Sequence, residues 1–117
     1  MDKVKSHKDL KVWQEPTDLV VLIYDSTEQF PSKEAFGLTS QLRRAAVSIP
    51  SNIAEGAGRK GENEFKRFLY IALGSLSEVK TQLEIAFRLK YIKEIEWVNK
   101  RIYFIRSMIS KLIKSLN

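Results

Sequence analysis

The stretch AVSIPSNIAEGAGRK (Ala46–Lys60) decides the fold. It has apolar residues at helical spacing, a proline in its middle and a glycine-rich basic tail. Together with the residues before it, Leu38, Leu42, Ala45, Ala46, Ile49 and Ile53 recur at i, i+4 and i+7 and draw one stripe. That stripe keeps its phase past Pro50. A helix ended by proline would lose register, so the pattern predicts one helix, starting near Leu38 or Thr39 and kinked at Pro50. An interior proline costs about 3 kcal/mol or more, which packing must offset. Ser48, Ser51 and Ala54 are small enough to let a neighbouring helix approach the bend.

The tail EGAGRKGE (Glu55–Glu62) resembles a phosphate cradle only superficially. A Walker-type loop needs GxxxxGK followed by Ser or Thr, after a strand. No strand pattern precedes this tail, no hydroxyl residue follows Lys60, and Gly56, Gly58 and Gly61 have the wrong spacing. Glycine at a helix C-terminus supplies the left-handed residue that closes it. Arg59 and Lys60 complement the negative end of the helix dipole and are also candidate nucleic-acid contacts. The tail reads as a helix stop and turn.

The helical period recurs in three other places, with no alternating pattern of useful length. The first segment spans about Leu10 to Gln29, after Asp9 as N-cap. Trp13, Val20, Ile23, Tyr24 and Thr27 share one side of it, with Val12, Leu19 and Phe30 beside them. Pro16 lacks the amide that would bond to Val12, so a kink or a frayed first turn is expected there. FPSKEAFG (Phe30–Gly37) connects to the next helix. The third segment runs from about Glu62 to Lys90. Phe65, Phe68, Leu69, Ala72, Leu76, Val79, Leu83, Ala86 and Phe87 lie on its main stripe. A narrower stripe holds Ile71, Glu78, Ile85 and Leu89, and Gly74 and Ser75 beside it suggest a close approach of another backbone. KYIKEIE (Lys90–Glu96) is the last turn. The fourth segment spans about Glu94 to Leu116, with Ile95, Val98, Ile102, Ile105, Ile109, Leu112 and Leu116 inward. The expected fold is all-α: one domain over residues 1–117, an antiparallel up-down-up-down four-helix bundle with a mobile N-terminal extension at 1–8.

Composition narrows the chemistry. The chain has 117 residues, 44% hydrophobic and 29% charged, as expected of one globular domain. It has no cysteine, which excludes disulfides, thiolate metal sites and cysteine nucleophiles. The charged start MDKVKSHKDLK lacks the apolar centre of a signal peptide, and no apolar run approaches the roughly 20 residues of a membrane span. A cytoplasmic location is expected. The net charge is +6, from 20 Lys+Arg against 14 Asp+Glu, which favours polyanionic partners. From Trp97 onward there are five basic residues and no acidic one.

No catalytic constellation is visible. His7 is the one histidine, without nearby partners for a metal site or for acid-base work. Carboxylate–histidine pairs of the di-iron kind are absent, as is the G-x-S-x-G nucleophile motif. The chain is read as a non-enzyme without metal or cofactor. Glu78 falls between Ile71 and Ile85, which implies at least partial burial. Arg43, Arg44 and Gln82 are its candidate partners in a structural or interface contact. In the fourth segment Trp97, Arg101, Phe104 and Met108 form a stripe off the inward one. Subunit contact, a wide core and base stacking are its three readings. Lys100, Lys111 and Lys114 share a further side, which can track a phosphate backbone or be a solvated face.

LKVWQ (Leu10–Gln14), FPSKEAFGLTSQLRRAAVSIPSNIAEGAGR (Phe30–Arg59) and EFKRFLYIALGSLSEVKTQL (Glu64–Leu83) closely resemble the four-helix-bundle proteins encoded in intervening sequences of bacterial 23S rRNA genes, often labelled S23 ribosomal proteins. The resemblance spans about Leu10 to Ile92. Pro16 stands where the family pattern has a good helix former, and Lys90 where it has a glycine, which implies a differently capped helix end. The resemblance implies a plain bundle that assembles into homopentamers, and no catalytic residues. A related branch resembles basic accessory proteins of diversity-generating retroelements that engage a reverse transcriptase and nucleic acid. On that basis Lys100, Arg101, Lys111 and Lys114 are expected RNA contacts, while the off-core stripe makes Trp97, Phe104 and Met108 expected subunit contacts. The other reading is an assembly adaptor that binds a protein partner through the exposed apolar stripe, its charge serving solubility.

Overall fold

Stripe and helix propensity agree along most of the chain, and the computed structural model, which describes residues 10–116, has no strand among them. Four α-helices fill the described chain: α1 (Lys11–Thr27), α2 (Leu38–Ala57), α3 (Glu62–Arg88) and α4 (Glu96–Ser115), with a single 3-10 turn at Ser32–Glu34. Asp9, His7 and the extension at 1–8 lie outside the described residues. The helix bounds fall within a few residues of the expected ones.

Each helix packs on its neighbours in a ring, α1 on α2, α2 on α3, α3 on α4 and α4 back on α1, while the diagonal pairs make no close backbone contact. Leu19, Leu42, Ile49, Ile53, Leu69, Leu76, Ile102, Ile105 and Ile109 meet along the axis and are fully buried. Burying one such side chain contributes about 1.5–3 kcal/mol, so this axis dominates the stability. At Gly56 the α2 backbone lies close against α3. A Cβ there would lie 2.7 Å from Phe68 Cβ and 3.0 Å from Phe65 Cδ1. Further along, the hydroxyls of Ser48 and Ser75 share a hydrogen bond of 2.8 Å, and Asn52 Nδ2 donates to Ser48 Oγ at 2.9 Å.

Pro50 lies inside α2 and is buried, as is Pro16 inside α1. α1 begins at Lys11, upstream of its proline. The buried face of α1 is Val12, Pro16, Leu19, Ile23 and Thr27. Tyr24, expected inward, is exposed, and Trp13 and Val20 are half-buried. The axis therefore runs along the Val12–Leu19 line, which the stripe analysis placed at the margin. In α4, Ile113 is buried where Leu112 was expected, and in α3 Phe87 is exposed. None of the described helices is long and apolar enough to cross a membrane.

The helix ends use residues differently from the expectation. Gly58 caps α2 in right-handed backbone, at φ −86°. The left-handed glycine is Gly61, φ 89°, which precedes α3. At the other end of α3, Lys90 has φ 68°, the one positive value on a non-glycine among the described residues. The Tyr91 amide donates to Ala86 O and the Lys90 amide to Phe87 O, each at 2.9 Å. This is the Schellman arrangement, with lysine in the position that favours glycine. Lysine thus occupies, with some strain, the glycine-type position of a regular Schellman cap at the end of α3.

Candidate nucleic-acid interface

After Glu96 in its first turn, α4 carries no acidic side chain, so its outer face is positive by composition. Helical geometry turns Val98, Ile102, Ile105, Ile109 and Ile113 inward, which leaves Lys100, Lys111 and Lys114 on the opposite side. All three lysines are exposed and have no ion-pair partner among the described residues. Arg101 differs from them. Its Nη1 lies 3.9 Å from Glu15 Oε1 on α1, and the residue is half-buried. Part of its charge is neutralised within the fold.

Trp97 and Phe104 are each 44% exposed, and Met108 is partly buried against the core. A wide core therefore accounts for Met108 and leaves both aromatic faces open. This stripe borders α1, where Lys11 Nζ lies 5.9 Å from the centre of the Phe104 ring. On the other flank, towards α3, Arg106 Nη1 donates to Ser77 Oγ at 3.4 Å. Tyr103 also lies on that flank and is 72% exposed. It was not singled out from the sequence, because one aromatic residue off every apolar stripe has no periodic signal.

The second basic group sits at the turn between α2 and α3. Arg59 pairs with Glu55 at 2.7 Å and with Glu64 at 3.9 Å, and Arg67 pairs with Glu64 at 3.2 Å. Both guanidiniums flank Phe68, at 5.0 and 4.5 Å from its ring centre. The hydrogen bond from Arg67 holds the Glu64 carboxyl below its usual range and raises Arg67 in return. Arg59 is thus largely committed within the fold, whereas Lys60 is exposed without a partner among the described residues.

The Glu78 expectation is corrected. Glu78 is exposed, and it makes no hydrogen bond or ion pair among the described residues. The stripe that suggested burial, with Ile71 and Ile85, is itself exposed. Arg44 is likewise exposed and lines the same groove as Glu78 and Gln82 without an ion pair. Arg43 turns the other way: its Nε donates to Thr27 Oγ1 at 2.8 Å and its Nη2 to Tyr24 O at 3.2 Å, and it stacks on the Tyr24 ring at 4.5 Å. It closes the end of α1.

Sequence reasoning also missed the contact between the two connections. Glu34 Oε1 accepts from the Leu38 amide at 3.0 Å, and its Oε2 accepts from the Tyr91 hydroxyl at 2.8 Å. The Leu38 amide chiefly, then the Tyr91 hydroxyl, hold the Glu34 carboxyl below its ordinary value, and the same bond raises Tyr91. Among the described residues no grouping of His, Cys, Asp and Glu is placed to hold a metal ion.

No curated protein matches the chain. A sequence model of the 23S rRNA-intervening sequence proteins does match, over residues 8–113. That match takes in all of α1, α2 and α3 and nearly all of α4, and so the chain belongs to the 23S rRNA-intervening sequence protein family.

Proposed function

We propose that this protein is a non-enzymatic, oligomeric RNA-binding accessory protein that presents the outer face of α4 to the phosphate backbone. The observation that carries the reading is the set of three exposed lysines, Lys100, Lys111 and Lys114, on a helix with no acid beyond Glu96. Unpaired cations release phosphate counterions on binding, which is the main source of sequence-independent affinity. Lys60 adds a lesser contact, and Arg59 and Arg101 contribute less than their charge because carboxylates already face them.

In this reading the helices run up-down-up-down, with α2 bent at Pro50, as one domain acting in the cytoplasm. Paired contacts favour that course: Ser48 meets Ser75, while Gly56, further along α2, meets Phe68, earlier on α3. Trp97 and Phe104, exposed beside the lysines, supply the subunit contact, and the family resemblance implies five copies. A ring repeats a modest basic face, so weak contacts add through multivalency.

The test is binding of a labelled, structured RNA across a salt series, to protein stripped of co-purified nucleic acid. Affinity should fall steeply with salt, and Lys111→Glu with Lys114→Glu should reduce it by about tenfold or more and flatten the slope. Absent binding at low salt ends the RNA reading. The exposed Trp97–Phe104 stripe then favours the adaptor reading, with a protein partner.

A further inference from the structure

We propose that Tyr103 is a stacking platform for an unpaired base, so that the α4 face takes single-stranded RNA rather than duplex. The inference rests on the RNA-binding reading and names the form of RNA that this face recognises.

Tyr103 is 72% exposed in the middle of a regular helix and makes no hydrogen bond or ring contact among the described residues. A structural tyrosine would bury its ring or engage its hydroxyl. Helical spacing puts Lys100 one turn before it, and Lys111 and Lys114 two and three turns after it, on the adjoining side. At 1.5 Å per residue, Lys100 and Lys111 lie about 16 Å apart along the axis. That separation corresponds to a few nucleotides of an extended strand. A cationic track with an aromatic face beside it is the arrangement that binds single strands: phosphates meet the charge and bases stack on the ring. Duplex RNA keeps its bases stacked on each other and offers the ring nothing.

Tyr103 also stands apart from the stripe given to subunit contact. Trp97 and Phe104 border α1, where Lys11 approaches Phe104, whereas Tyr103 is on the flank where Arg106 reaches Ser77 of α3. Base stacking and assembly therefore use opposite edges of the lysine line. The complementary occupant is anionic and aromatic, because a cationic or acid-free apolar peptide would leave the three lysines uncompensated.

The experiment measures binding of equal-length single-stranded and duplex RNA by fluorescence anisotropy, with wild type, Tyr103→Ala, Tyr103→Phe and the Lys111→Glu/Lys114→Glu pair. Single-stranded RNA should bind wild type at least about fivefold more tightly than duplex. Tyr103→Ala should weaken the single strand about tenfold with an unchanged salt slope, since no phosphate contact is lost. Tyr103→Phe should stay within about twofold of wild type, because stacking needs the ring and not the hydroxyl. If wild type binds RNA but duplex binds as well, or Tyr103→Ala binds normally, this inference fails and the basic-face reading stands. If wild type binds no RNA, both fail. Altered oligomeric state in Tyr103→Ala would make the ring a subunit contact and overturn the proposal.

Discussion

The Tyr91 hydroxyl donates to Glu34 Oε2 at 2.8 Å, across a separation of 57 residues in sequence. It ties the connection before α2 to the connection after α3, and the Phe30 ring, 5.3 Å from the Tyr91 ring, packs into the same knot. Glu34 also holds the first amide of α2, at Leu38. One carboxylate therefore starts a helix and closes one end of the bundle.

That contact makes the fold sensitive to acid. The folded state lowers the Glu34 value from its ordinary 4.5, so the stabilisation is present above 4.5 and is lost as pH falls through the lower folded-state value. Tyr91 is raised from 10.0, so its contribution is present below 10.0 and lost as pH rises through the higher folded value. Urea unfolding of wild type and Glu34→Gln should show a stability gap near neutrality that narrows as pH falls below 4.5. A gap independent of pH would assign the difference to shape alone. Tyr91→Phe should narrow the same gap by removing one of the two donors.

Lys90 carries a backbone penalty that glycine would not. With φ at 68°, a side chain crowds the following carbonyl, at a cost of about 1 kcal/mol. Lys90→Gly should raise stability by about that amount and the melting temperature by a few degrees. Lys90→Ile should lower both, since a branched Cβ fits this region worst. Equal melting temperatures for all three would mean that the end of α3 opens before the rest unfolds.

Gly56 and Gly74 should respond to alanine in opposite directions. Gly56→Ala forces a methyl group to 2.7 Å from Phe68 Cβ, where α2 lies close against α3, and should cost about 1–3 kcal/mol. A Cβ on Gly74 meets nothing within 4 Å, so Gly74→Ala should stabilise α3 by about 1 kcal/mol. Thermal melts of the two variants decide this. Destabilisation by Gly74→Ala would locate a second subunit against α3, where a glycine lets another backbone approach.

These residues show what the sequence carries and what it does not. The stripe through Leu42, Ala46, Ile49 and Ile53 specified α2 across Pro50, because periodic burial writes itself into periodic residues. The same logic misplaced Glu78: Ile71 and Ile85 have the right spacing but are exposed in the single chain. Arg43 was expected to meet Glu78 and instead binds the Tyr24 carbonyl and the Thr27 hydroxyl at the end of α1, with the Glu28 carboxylate 3.7 Å away. Every residue has a carbonyl, so that partner leaves no mark in sequence. Tyr91 and Glu34 meet only because both connections lie at the same end of the bundle. The lysines of α4 were legible as charge, but their lack of partners, unlike Arg59 and Arg101, required coordinates.

Arg43 should not tolerate lysine. Its planar fork makes two hydrogen bonds, to Thr27 Oγ1 and Tyr24 O, while its face rests on the Tyr24 ring. A lysine ammonium can reach one of those acceptors and cannot stack in the same way. Arg43→Lys should therefore lose about 1 kcal/mol, and Arg43→Ala about 1–2 kcal/mol, in denaturant unfolding. Arg44→Lys, at an exposed neighbour without a partner among the described residues, is the control and should lie within about 0.5 kcal/mol of wild type.

Assembly is the last property that a side chain can report. Trp97 and Phe104, each 44% exposed, leave two aromatic faces open beside α1. Aromatic residues at the centre of an interface carry a large share of its energy, commonly about 2 kcal/mol or more each. Their half-exposure also means that the monomer core depends on them only in part. Trp97→Ala with Phe104→Ala should shift the protein to a smaller species by light scattering, with helix content retained by circular dichroism. RNA affinity should then fall because multivalency is lost, while the salt slope for each remaining subunit persists. An unchanged mass would free this stripe from assembly and make it the surface on which to search for a protein partner.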